Sequence, residues 1–279
     1  MADDWFGGRA ALAGTVAVIT GGAGGLGGAI VHDLAANGVR TAVLDRDEEA
    51  ARALEKALAG HDALVRTGDV REEAALQALF EDVDARWGRL DILVNVVGGT
   101  FRAPFTETRP RGWDALIRTN LTHVLHACSL AVPRIRAGGR GGSIVNVSTI
   151  EAHRAAPGFA VYAAAKAAVE QFARTLAVEL APDGIRVNNV APDYVPTPSL
   201  RRLAGEGTAP LTTPEALATA IPMARAGRPE DVSGCVVFLA SALSSYVTGT
   251  TLHPDGGTYA SSGWFNWPGT GWANHVPGL

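Results

Sequence analysis

Residues 161–172, VYAAAKAAVEQF, hold Tyr162 and Lys166 four positions apart in an alanine-rich run. Alanine favours helix, and on a helix positions i and i+4 share one face, so the phenol and the amine project side by side. That pairing can move protons. A phenol ordinarily ionises near pH 10, and bringing it to neutrality needs roughly 4 kcal/mol of preferential stabilisation of the phenolate. A compact ammonium close to the ring oxygen can supply much of this, whereas a bulkier planar guanidinium would replace it poorly. The chain uses lysine only twice, at Lys56 and Lys166, among 24 lysine and arginine residues. A lysine at this spacing reads either as half of a general acid–base pair or as a residue that merely shares a helix surface with the tyrosine, and the scarcity of lysine favours the first.

A second constellation lies near the start of the chain. TGGAGGLGG, residues 20–28, directly follows the apolar run TVAVIT and precedes a helix expected to open near Ala29. Glycines there let backbone N–H groups approach a pyrophosphate, and the helix N-terminus adds its positive end. No Lys-Ser or Lys-Thr follows, which argues against a nucleoside-triphosphate loop. Asp45 closes the next apolar run, 18 residues after Gly27, where a carboxylate can accept the hydroxyls of an adenine-side ribose. A 2′-phosphate about 4 Å from that carboxylate would meet a repulsion of roughly 4 kcal/mol, so NAD is the expected cofactor rather than NADP. Arg46 is the counterweight, because its guanidinium could cradle a phosphate if Asp45 turned away.

The elements that must position these residues alternate regularly. TVAVIT (15–20), TAVLD (41–45), ALVRTGDV (63–70), DILVNVV (91–97), SIVNVS (143–148), IRVNNVA (185–191) and TTLHP (250–254) are short and β-rich, and most are apolar on both faces. Strands of that kind suit a parallel sheet covered on both sides. Between them lie helical patterns such as the stripe Leu76, Leu79, Phe80, Val83 and Trp87. The expectation is an α/β fold of Rossmann type: a doubly wound parallel sheet of about seven strands in a single domain over 1–279. Residues 193–225, rich in Pro, Thr and Ala, read as a substrate loop. The aromatic C-terminal arm, 258–279, reads as irregular. A composition of 47% hydrophobic and 19% charged residues describes a globular chain with a substantial core. A net charge of −4 without basic runs argues against nucleic acid or an anionic membrane as partner. No apolar stretch is long enough to span a bilayer, no secretory leader is evident, and Cys128 and Cys235 have no framework spacing. A cytoplasmic protein acting on a small molecule is expected.

The chain resembles the short-chain dehydrogenase/reductase family from about Gly14 to Gly257. TGGAGGLG, with Gly21, Gly25, Leu26 and Gly27, is similar to that family's TGxxxGxG turn. Asp69 and Val70 resemble its adenine-contacting pair, and NVVG, with Asn95 and Gly98, stands where the family has NNAG. Asn120 in RTNL matches its helix asparagine, and YAAAK its YxxxK. RPEDV (228–232), SSYVTG (244–249) and DGG (255–257) match its later runs. The resemblance implies hydride transfer between nicotinamide and a secondary alcohol or ketone. Tyr162 would then be general acid–base, Lys166 would hold the nicotinamide ribose, and Asn120 would hold a relay water. A homotetramer with C-terminal contacts is implied as well.

Two positions depart from the family pattern. Its catalytic serine lies 13 residues before the tyrosine, where this chain has Thr149, preceded by Ser148. Thr149 carries the same hydroxyl and is the expected substrate-orienting group, with Ser148 as the alternative. APDYVPT (191–197) replaces a Pro-Gly pair, putting Asp193 where glycine is usual; Val195 and Thr197 still match the positions that hold the carboxamide of nicotinamide. His123 and His126 lack a third convergent ligand, so no metal is expected. His153 could face the substrate, and Glu151 reads as a surface residue. Competing readings are a non-catalytic dinucleotide-binding regulatory protein, and lyase or epimerase chemistry on the same scaffold. Leu200, Leu203, Leu211, Leu217, Ile221 and Met223 outnumber Arg201, Arg202 and Arg225 in the substrate loop, which favours an apolar or cyclic alcohol.

Overall fold

The expected strands pair into one seven-stranded parallel sheet, in the order β3-β2-β1-β4-β5-β6-β7. The structure is a computed structural model that describes residues 5–198, 200 and 213–277. The strands are β1 (Val16–Thr20), β2 (Arg40–Asp45), β3 (Ala63–Thr67), β4 (Ile92–Asn95), β5 (Gly142–Val147), β6 (Ile185–Val190) and β7 (Thr251–Leu252). Alternation along each strand divides the core in two. Val16, Val18, Leu44, Leu93, Ile144 and Val187 face one side; Ala17, Ile19, Val43, Val94, Val145 and Val190 face the other. This two-sided burial is why the runs lack polar–apolar alternation.

A short helix, α1 (Trp5–Ala10), precedes the sheet. On one face lie α2 (Gly25–Ala36) and α3 (Glu48–Ala57); on the other lies α4 (Glu73–Trp87), whose Leu76, Leu79, Phe80 and Val83 are fully buried. After α5 (Pro110–Ile117), a π-helical turn over Arg118–Thr122 leads into α6 (His123–Gly138). Then comes α7 (Ala160–Leu180), 21 residues long, with a buried stripe of Ala165, Lys166, Val169, Glu170, Ala173 and Ala177. Two ionisable residues in that stripe are the anomaly, since such groups are seldom fully buried unless partnered.

Three local expectations change. The helix after the glycine turn begins at Gly25, four residues before Ala29. Glycine's low helix propensity hides that start in the sequence, but the Gly21 N–H donates to the Leu44 carbonyl at 2.7 Å and fixes the turn from outside. The substrate loop contains α8 (Pro214–Ala220), capped by the Thr213 hydroxyl, which accepts from the Ala216 N–H at 3.1 Å. Leu203, Leu211, Arg201 and Arg202 lie outside the described residues. Beyond α9 (Pro229–Ala240) and α10 (Thr258–Ser261), the aromatic arm is not irregular: β8 (Phe265–Trp267) pairs antiparallel with β9 (Gly271–Ala273). Pro268 and Gly269, the latter at φ +74, make the turn, closed by Thr270 N–H on Trp267 O at 3.1 Å.

The β1–β4 boundary is the topological switch point, where chain connections diverge and open a crevice at the strands' C-terminal ends. Gly27 sets how closely α2 enters that crevice, because a Cβ there would sit 1.9 Å from the Gly21 carbonyl oxygen. Gly27→Ala must push backbone apart at a cost of about 1–3 kcal/mol. Calorimetry should show a Tm lower by about 3–10 °C; an unchanged Tm would contradict this packing.

Candidate active site

Lys166 is 3% exposed, and its Nζ donates to the Val147 carbonyl at the end of β5, at 2.9 Å. Burial pulls its pKa down to about 8, with the Glu170 carboxylate acting in the opposite direction. The loop after β4 must pass tightly over this amine: a Cβ at Gly98 would lie 3.2 Å from Lys166 Nζ and 3.3 Å from Asn120 Oδ1. Asn120 is fully buried in the π-helical turn, a feature that often marks functional positions. Its Nδ2 donates to the Gly99 and Leu116 carbonyls at 2.7 and 2.9 Å, and its Oδ1 accepts from Gly99 N–H at 3.1 Å. One lone pair of Oδ1 remains for a water.

One turn before Lys166 on α7, Tyr162 has a partly exposed ring and a hydroxyl on the Thr149 side of the site. The expectation that Lys166 makes this phenol acidic is not met in the protein alone. Burial pushes Tyr162 up to about 12; the Thr149 hydrogen bond pulls the other way, and the Glu151 charge adds to the rise. The phenol is thus protonated at neutral pH. Glu151, read from the sequence as a surface residue, is partly buried and paired with Arg154 at 2.8 Å.

Strand parity separates the two candidate hydroxyls. Ser148 follows Asn146 on the α7 side of β5 and donates to Glu170 Oε1 at 2.6 Å, whereas Thr149 turns towards Tyr162 and accepts from the Glu151 N–H at 3.3 Å. His153 also points to Glu170, with Nε2 2.9 Å from Oε2. Asp193 takes its place without a left-handed backbone and pairs with Arg154 at 3.4 Å.

The glycine turn has its acidic partner fixed in place. Asp45 Oδ2 accepts from the Ala23 N–H at 2.9 Å and Oδ1 from the Asp47 N–H at 3.1 Å, while Arg46 stands exposed. Asp69 is held by the Arg71 fork, which keeps its carboxyl below the usual range, and Val70 is buried. Thr197 reaches the turn: a Cβ on Gly25 would meet its Cγ2 at 3.3 Å. Val195 is buried, and its carbonyl accepts from the Thr197 N–H at 2.7 Å. Asn95 is 2% exposed and donates to Asn146 Oδ1 at 2.9 Å, so its amide is engaged within the sheet. The close approach at Gly27, the α2 N-terminus and the anchored Asp45 carboxylate together fit a dinucleotide.

Comparison with known proteins assigns the class. The family model described as enoyl-(acyl carrier protein) reductase matches residues 21–259. Nodulation protein G of Azospirillum brasilense is 36% identical over 245 residues, 87% of this chain and 97% of that protein. The 3β-hydroxysteroid dehydrogenase 1 of Eggerthella lenta is 37% identical over 249 residues, 88% of this chain and 94% of that one. The crystal structure of levodione reductase superposes with a TM-score of 0.83 at 30% identity, covering 89% of this chain and 98% of that chain. The chain belongs to the short-chain dehydrogenase/reductase family. At that level it is an oxidoreductase that interconverts alcohols and carbonyls with a nicotinamide cofactor.

The parity of β5 generates a discriminating experiment. Thr149→Val removes the hydroxyl beside Tyr162 and should lower kcat on the order of 100-fold, while Ser148→Ala should cost less than about tenfold. The reverse ranking in steady-state assays would contradict the geometry.

Proposed function

We propose that the chain is an NAD-preferring dehydrogenase/reductase acting on an apolar, cyclic secondary alcohol or ketone, with Tyr162, Lys166, Thr149 and Asn120 as its catalytic set. The observation that carries this reading is the buried Lys166 amine, tied to the Val147 carbonyl one helical turn from a phenol that neighbours Thr149. A pure binding protein has no use for such an arrangement, because each buried polar group costs stability unless partnered. NAD, when bound, supplies a hydride acceptor or donor at C4 of its nicotinamide.

The residues divide the remaining work. Thr149 holds the substrate oxygen, and the Tyr162 hydroxyl gives its proton to that oxygen in reduction or takes it in oxidation. Lys166 holds the nicotinamide ribose and stabilises the phenolate, and Asn120 Oδ1 keeps a water towards the amine. Because Tyr162 is pushed up to about 12 and Lys166 down to about 8, both are protonated at neutral pH. Carbonyl reduction uses those forms, so it holds its rate up to about pH 8 and then falls; oxidation needs the phenolate and climbs with pH.

The cofactor preference rests on Asp45, whose two oxygens are pinned by Ala23 and Asp47; a carboxylate so held cannot turn away to admit a 2′-phosphate at Arg46. The substrate class is supported by the apolar side chains Phe101, Leu116, Phe159 and Val161, which line a narrow cleft; a second cavity, of about 250 Å3, combines Tyr194, Ile221 and Met223 with the charged Arg225, Asp231 and Asp255. The hydroxysteroid dehydrogenase relative points to a cyclic substrate too. Within the same reading the chain is a cytoplasmic homotetramer; the two free cysteines and the exposed Trp264, Phe265 and Trp272 of the C-terminal hairpin support this.

Tyr162→Phe tests the reading. It should lower kcat at least about 1000-fold while fluorescence titration still shows NADH binding, and NADH should bind more tightly than NADPH. Normal turnover by Tyr162→Phe would refute the catalytic role, and tighter NADPH binding would refute the cofactor preference.

A further inference from the structure

Beneath the proposed catalytic floor lies a charged group that the reaction scheme does not use. Glu170 is 2% exposed, four residues after Lys166 on the buried stripe of α7. Its Oε1 accepts from Ser148 Oγ at 2.6 Å and lies 3.0 Å from His153 Nε2; its Oε2 lies 2.9 Å from that nitrogen and accepts from Thr251 Oγ1 at 3.2 Å. Behind it His153, His253 and Tyr259 stack with ring centroids 4.7 to 5.2 Å apart. The carboxylate also ends a row of side chains across the sheet. Asn95 donates to Asn146 at 2.9 Å, Asn146 to Asn189 at 3.1 Å, and Asn189 to Thr251 at 3.3 Å, each on the same rung of the parallel register.

We propose that Glu170 is a positioning residue for catalysis: through Ser148 and His153 it sets the turn that aims the Thr149 hydroxyl, and it is the carboxylate that follows Lys166 by one turn on the buried stripe of α7. The inference rests on the dehydrogenase reading above. Ser148 and His153 bracket the 150–152 turn that Thr149 caps, so one carboxylate grips both ends of the segment presenting the substrate-orienting group. Along its own helix it faces Lys166, for which it is the charged group that opposes the effect of burial. From the other elements packed there, the ionisable groups facing it are His153, from the turn after β5, and His253, just beyond β7 with Asp255 close by. A carboxylate that merely satisfied buried hydroxyls would hold the fold without moving the titration of the reaction.

That distinction is measurable on the whole enzyme with a ketone substrate. Glu170→Gln keeps the shape but loses the charge, so the alkaline limb of the reduction profile should move to lower pH by about one unit, with kcat at pH 8 down about fivefold. KM should stay within about twofold, since the substrate is not touched. Glu170→Asp keeps the charge and shortens the reach to Ser148; it should leave the limb in place and lower kcat. Should Glu170→Gln fail to fold, the Asp variant decides alone, and a wild-type kcat for it overturns the proposal. A Gln variant whose alkaline limb stays at the wild-type pH overturns it as well, whatever its kcat. Tyr162→Phe is assayed alongside. If it is inactive while the Glu170 variants behave as wild type, only the positioning role fails; if it is active, the dehydrogenase reading itself fails.

Discussion

An ammonium group buried at the end of a parallel sheet is the constraint on which the rest of this site depends. Taking a charge out of water costs several kcal/mol even after relaxation, and Lys166 is 3% exposed. Its geometric partner is the Val147 carbonyl, a group freed for side-chain bonding because β5 ends there. Its electrostatic partner is the Glu170 carboxylate, on the same helical face. Its walls are the Gly98 backbone and Asn120, packed so closely that a single added carbon at Gly98 would press on both side chains. The π-helical turn that carries Asn120 is part of the same solution, since it delivers the amide to the glycine strand above the amine.

The sheet register explains how a fold dominated by apolar contacts keeps a polar layer at one end. Asn95, Asn146, Asn189 and Thr251 are cross-strand neighbours near the C-terminal ends of β4, β5 and β6 and at the start of β7, and their side chains bond sideways in a row that terminates at Glu170. Two residues earlier along β4, β5 and β6, on the same face, lie Leu93, Ile144 and Val187 in the apolar core. The step from oil to hydrogen bonds thus occurs within two residues, and buried polar groups that find partners in this way rigidify what they support. The crevice is built on that layer.

Much of this was legible in the sequence, for identifiable reasons. Seven strands were visible because β-rich runs apolar on both faces have few alternatives, and the Leu76–Leu79–Phe80–Val83 stripe because helical periodicity is strong there. That Tyr162 and Lys166 share one helix, a turn apart, was legible from their spacing in an alanine-rich run. The choice between Thr149 and Ser148 was recoverable in principle, since a strand through Asn146 puts Ser148 on the α7 side. Glu170 carried a signal too, an acidic residue one turn from the lysine, but its weight depends on burial. The acidity of Tyr162 was misjudged because a sequence shows the neighbouring cation and not the desolvation that outweighs it. The start of α2 was hidden by glycine's poor propensity, and the C-terminal hairpin by strands of only three residues each.

The state of the Lys166 amine tests this account most directly, and a chain with two lysines makes it observable. Carbon-13 labelling at lysine Cε in a Lys56→Arg background leaves one resonance, whose chemical shift can be followed against pH in the cofactor-free protein. The account predicts a midpoint near 8, well below the ordinary 10.5. A midpoint at or above 10.5 would contradict the account, because the cost of burial would then not govern the amine.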